Sequence, residues 1–204
     1  MSNAPSLAVL GFRPHTYWTS AVALAGSTHA PQVLERRRIT FATGAERNVF
    51  HRAEATDLDQ AQALIAEVQV ATEANAAREI ATLIADLRRR GVSVRTAIVP
   101  EAVNKLPEKL EDILKVHARM HAAEGNFYRA VVAKACAVTG LEVRRVVERE
   151  LPALVCDLLG VKPPALEARL KAMGRTLGPP WSEDYKLAAE AAWLHLEGAG
   201  ADAS

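Results

Sequence analysis

Aromatic residues are scarce in this chain, at 5%, and cysteine occurs only twice. Alanine fills much of the apolar share instead, which suits helices packed closely on their neighbours. Cys136 and Cys156 both fall in apolar helical runs. They are expected as buried free thiols of a reducing compartment rather than as a disulfide. Neither sign of charge dominates: 25 basic against 24 acidic residues leave a net charge of +1. That argues against a strongly basic nucleic-acid binder while leaving room for local basic surfaces. No apolar run approaches the eighteen or so residues of a membrane span. The N-terminus lacks the basic and apolar regions of a signal peptide. A cytoplasmic protein with no membrane partner is the expectation. A Walker loop, a dinucleotide glycine fingerprint, a Cys-x-x-Cys pair and a Gly-x-Ser-x-Gly elbow are all missing.

What is present is a core. Half of the residues are hydrophobic, which excludes global disorder, and 204 residues fit one domain. The chain is organised around Leu110 to Val147, read as a long helix, a glycine stop at Gly140 and a strand. Ile113, Val116, Met120, Phe127, Val131 and Val138 recur at helical spacing. His117, His121, Glu124 and Tyr128 follow the same period about one residue's rotation away, as a polar stripe beside the apolar one.

Upstream, Leu7–Phe12 is a continuous apolar run, the mark of a strand covered on both faces. Tyr17–Leu24 and Gln32–Phe41 complete a three-strand antiparallel meander. Residues 42–56 read as irregular. Asp57 caps a helix running to Arg90, with a kink or break expected around Val70–Asn75 where the apolar period lapses. Val92–Val99 is a fourth strand. Two short helices occupy about 150–180, and a last helix, capped by Ser182, runs from Trp181 to Glu197. Residues 1–6 and 198–204 read as frayed or disordered ends. The fold class is therefore α/β: a mixed five-stranded sheet, three strands by meander and two by helical crossovers, with helices on both faces.

That order of elements resembles the ribonuclease H-like fold, and within it the RuvC-type resolvases. Leu10-Gly11-Phe12-Arg13-Pro14 is similar to the Leu-Gly-Ile-Asp-Pro opening of that group. Glu101 follows strand four, near the family's glutamate. Gly125–Val143 resembles the family's second helix and fifth strand, and Pro180–Trp193, with Asp184 early in it, the closing acidic helix. The resemblance implies one ribonuclease H-like domain over residues 1–204, DNA or RNA as partner, Mg²⁺ or Mn²⁺ as cofactor, and a possible homodimer. It also implies metal ligands at Glu101 and Asp184, with Glu124 a further catalytic candidate. One position departs: the strand-one aspartate is replaced by Arg13. A guanidinium repels Mg²⁺ and offers no lone pair, whereas two-metal cleavage needs converging carboxylates. Arg13 suits a phosphate oxygen instead.

Other groove candidates are His117, His121, Arg129 and Lys186. Histidines four apart can share Zn²⁺. Here the Ala-Arg-Met spacer supplies no general-base glutamate, and Glu124 lies about 10 Å along the axis from His117. A polar groove face is therefore favoured over a metal centre. Lys186 and Glu190 are expected as an exposed ion pair, and Trp181 as a packing plug. Three function classes follow: a nucleic-acid-binding protein with an altered site, a divalent-metal nuclease, and a protein-interaction module on the same fold. Arg13 shifts weight from the second to the first.

Overall fold

The computed structural model describes residues 6–196. The expected frayed end before Ser6 and the tail from residue 198 lie outside them. Five strands form one sheet: β1 (Ser6–Pro14), β2 (Trp18–Ser27), β3 (Ala30–Thr40), β4 (Val92–Glu101) and β5 (Glu142–Val147). Their spatial order is β3-β2-β1-β4-β5. β1 runs antiparallel to β2, and β2 to β3, whereas β1–β4 and β4–β5 are parallel. The hairpin connections demand the first arrangement and the helical crossovers the second.

The helices are α1 (Val49–Ala53), α2 (Leu58–Arg89), α3 (Leu110–Leu114), α4 (His117–Val138), α5 (Leu151–Leu159), α6 (Pro163–Leu177) and α7 (Glu183–Trp193). Leu10 and Phe12 of β1 face Ile80, Leu83 and Leu87 of α2 and Val131 and Val132 of α4 in one apolar layer. Val9 and Ile98 face α5, α6 and α7 in the other. The alternation within β1 sends successive side chains to opposite layers, so its unbroken apolar run follows from burial on both sides.

α7 lies so close to β1 that backbone meets backbone. A Cβ on Gly11 would stand 1.9 Å from the Ala188 carbonyl oxygen and 2.6 Å from the Ala192 nitrogen. The alanine-rich sequence of α7 and the glycine of β1 thus act together. They press the N-terminus of α7, and with it Asp184, toward the carboxyl end of β1.

Three local expectations are corrected. α2 is unbroken for 32 residues, about 48 Å. Thr72, in the segment where the apolar period lapses, is buried but satisfies its own hydroxyl by donating to the Val68 carbonyl at 2.7 Å. No kink is needed. The helix expected over 110–139 is divided: Val116 is extended (φ −134°), separating α3 from α4. The break lets Leu110, Ile113 and Leu114 join Met120, Val49 and Phe50 in a small third cluster. Finally, the irregular segment 42–56 contains a 3₁₀ turn at Gly44–Glu46 and the short helix α1. The caps hold up better. Asp57 accepts from the Gln60 N–H at 2.9 Å, and Gly91 and Gly140 take positive φ just past α2 and α4. Ser182 precedes α7 as expected, but its side chain makes no capping bond.

Candidate functional site at the strand ends

Parallel strands place their carboxyl ends on one edge of the sheet, where open α/β sheets assemble ligand sites. The register pairs Gly11 with Ile98 and Glu101 with Val147. Arg13, Glu101 and Glu148 therefore stand at the same edge of β1, β4 and β5.

Arg13 and Arg129 share one carboxylate. Arg13 Nη2 lies 3.2 Å from Glu148 Oε1, and Arg129 Nη2 lies 2.9 Å from Oε2. Arg13 also donates through Nη1 to the Pro14 carbonyl at 2.8 Å. All three side chains are mostly buried, with 19%, 14% and 23% exposure for Arg13, Arg129 and Glu148. Two guanidiniums on one carboxylate leave a net charge of +1. Both Nε–H groups are buried without a hydrogen-bond partner, so the clamp leaves donor capacity over. Gly125 makes room for it: a Cβ there would meet Arg129 Nη1 at 3.0 Å. The helix-weakening glycine within α4 thus coincides with the path of the Arg129 side chain.

Asp184 is held by His15, whose Nε2 donates to Oδ1 at 2.7 Å. Burial lowers the His15 pKa below its ordinary value, outweighing the pull of Asp184; the nearby Arg13 charge also lowers it and Glu148 raises it. At neutral pH the contact is accordingly a neutral imidazole donating to a carboxylate. His15 stacks on Trp18 with centroids 4.0 Å apart and planes 10° apart. The exposed Arg38 guanidinium sits 3.9 Å from the Trp18 ring centroid. An aromatic–cation stack therefore borders the arginine clamp. Glu101 is 3.9 Å from Arg145. Arg145 in turn lines an open groove of about 600 Å³ between α2, α4 and β5, together with Lys134, Gln69 and Glu73.

Glu124 takes a different place from that expected for a strand-end carboxylate. It is 3% exposed and accepts from the Phe50 N–H at 3.1 Å and contacts His51 Nδ1 at 3.2 Å, both through Oε1. His117 and His121 lie beside it, exposed, with their Nε2 atoms 2.9 Å apart. The structure thus joins Arg13 with Arg129, and His117 with His121. Glu101, Glu124 and Asp184 do not form a converging group: among the described residues, the group of three metal-ligating side chains within 4.8 Å is His51, His117 and His121. His15, His51 and Glu148 had escaped the sequence reading. Glu148 was the most accessible of them, because it follows β5 as Glu101 ends β4.

Lys186 pairs with Glu183, not with Glu190 as expected. Glu190 is buried at 6% exposure, with Oε2 unpartnered. Burial, aided by the Glu183 charge, pushes its pKa up to about 7. The unfolded carboxyl ionises near 4.5 while the folded one stays protonated. Stability should therefore fall as pH rises from about 4.5 to about 7, by up to roughly 3 kcal/mol. Glu190→Leu is expected to flatten this dependence and to be more stable than the parent at pH 8, as read by urea unfolding across that range. Trp181 does act as a plug: its Nε1–H donates to the Leu170 carbonyl at 2.9 Å, and its ring fills the space a Cβ on Gly174 would need. Both cysteines are buried and free.

No protein-family model matches the chain, and no curated protein matches it in sequence. No helix among the described residues is long and apolar enough to cross a membrane. Several solved structures are similar to the chain, two of them over nearly its whole length. One is T. thermophilus RuvC in complex with a Holliday junction substrate, at TM-score 0.53 and 10% identity, covering 93% of this chain and 92% of that one. The other is Thermus thermophilus RuvC, at TM-score 0.52 and 12% identity, covering 92% of each. At such identities the likeness speaks for the fold alone, and the fold is the ribonuclease H-like, RuvC-type arrangement that the order of elements implies.

Proposed function

We propose that this chain is a nucleic-acid-binding protein in which a resolvase-like strand-end site holds phosphate rather than cutting it. The observation that carries the reading is the Arg13–Glu148–Arg129 clamp at the carboxyl ends of β1 and β5. The residues there do not fit a pair of Mg²⁺ or Mn²⁺ ions. Glu148 is taken by two guanidiniums, Asp184 by His15, and Glu101 faces Arg145. A cation entering would meet fixed positive charge where it needs oxygen lone pairs. A phosphate oxygen, by contrast, is what paired guanidiniums recognise. The similar protein bound to a Holliday junction supports branched DNA as the first ligand to try. The Trp18–Arg38 stack and the Lys134–Arg145 groove supply further contacts for a backbone.

Glu148 is the test. It competes with phosphate for both arginines, so Glu148→Gln should tighten binding of a labelled four-way junction by up to roughly tenfold in anisotropy titrations. A metal-dependent nuclease using this edge would gain nothing from that change. Unaltered or weaker junction binding by the folded variant would count against the holding site.

A further inference from the structure

We propose that His51, His117 and His121 form a site for one transition-metal ion of the Zn²⁺ class. This goes beyond the nucleic-acid reading and does not depend on it. One ligating nitrogen from each ring lies within 4.8 Å of the other two, drawn from α1 and from the first and fifth residues of α4. The three ring centroids are 4.5 to 4.9 Å apart. Histidines at i and i+4 face the same way on a helix, and α1 delivers the third from across the small apolar cluster that Val49 and Phe50 anchor.

Two further observations point to a cation. His51 Nδ1 faces the Glu124 carboxylate at 3.2 Å, while its Nε2 is buried without a partner. A carboxylate fixing one imidazole nitrogen and leaving the other's lone pair free is the arrangement that orients a metal-bound histidine and raises its basicity. Glu124 is also a buried acceptor whose oxygen already takes the Phe50 N–H. The short His117–His121 contact admits a shared proton or a shared metal; the unpartnered third nitrogen favours the metal.

Three neutral imidazoles suit Zn²⁺, Co²⁺ or Ni²⁺ and not Mg²⁺, which wants oxygen. A tetrahedral ion needs nitrogens about 2.0–2.1 Å from it, so the rings must close in slightly, and a fourth position stays open to water. The exposed positions of His117 and His121 permit that movement.

The experiment is metal uptake by the full chain, stripped with chelator and titrated with Zn²⁺ against a chromophoric competitor, then with Co²⁺ followed by visible absorption. One Zn²⁺ per chain and the intense d–d bands of tetrahedral Co²⁺ are expected. Both should be lost in His117→Ala, His121→Ala and His51→Ala. Glu124→Gln should weaken binding by about 10–100-fold. His117 and His121 are exposed, so their variants should melt as the parent does, separating ligand loss from unfolding. No stoichiometric uptake by the parent would overturn the proposal. So would uptake that survives removal of any one of the three histidines, or uptake lost in Asp184→Ala, which would move the ion to the strand ends.

Discussion

Gly11→Ala should abolish folding or cost more than about 4 kcal/mol, above the roughly 1–3 kcal/mol typical of core overpacking, because the atoms it meets are backbone. The added methyl would sit 1.9 Å from the Ala188 carbonyl oxygen and 2.6 Å from the Ala192 nitrogen, both backbone atoms. A flexible side chain can swing aside; a helix axis cannot, because α7 is held by Ala188, Ala191, Ala192 and Trp193 in the same apolar layer. Pushing α7 outward would open that layer along its length and separate Asp184 from His15. Guanidinium unfolding followed by circular dichroism reads the loss. Gly125→Ala is the internal comparison. Its methyl would meet only the Arg129 Nη1 at 3.0 Å, a movable side-chain end, and alanine gains roughly 1 kcal/mol of helix propensity. That variant should fold as well as the parent or better.

Removing both arginines, as Arg13→Ala/Arg129→Ala, should weaken junction binding by up to about 100-fold if each contributes roughly one charge-assisted phosphate contact. The two share Glu148, so their effects need not add, and the full product is a ceiling. The salt dependence carries the sharper signature. Losing two phosphate contacts should reduce the slope of log affinity against log salt by about 1.8. Glu148 would meanwhile be left half-buried with neither guanidinium, which costs folding stability but leaves the β1–β4–β5 register intact. A purely structural clamp would lower the melting temperature and leave both affinity and slope unchanged.

Much of the scaffold was written locally. The two-sided burial of β1 is visible in Leu7–Phe12, the α2 start in Asp57, and the helix stops in Gly91 and Gly140, because each feature depends on residues near in sequence. What was not local was misread. The lapse in α2 period suggested a kink or break; the helix runs on unbroken there, and Thr72 satisfies its hydroxyl within it. The division of α3 from α4 at Val116 is set by a cluster with α1, and nothing in the 110–139 periodicity records that partner. The sites follow the same rule. Arg13 was legible as a departure from an aspartate, but its carboxylate partner comes from 135 positions away, and Asp184 meets His15 across 169. His51 was hidden in a segment that lacked helical period, although its apolar neighbours Val49 and Phe50 were the available signal. Glu124 is legible as a polar position at helical spacing; its place beside α1, rather than at the strand ends, needed the fold.

The most direct measurement incubates the purified chain with a labelled four-way DNA junction in Mg²⁺ and in Mn²⁺, resolving bound complex on native gels and product on denaturing gels. Salt-sensitive binding with the strands left intact, unchanged in Asp184→Ala, is the expected result. Strand cleavage that requires the divalent ion and disappears in Asp184→Ala would contradict it and make the strand ends a catalytic centre.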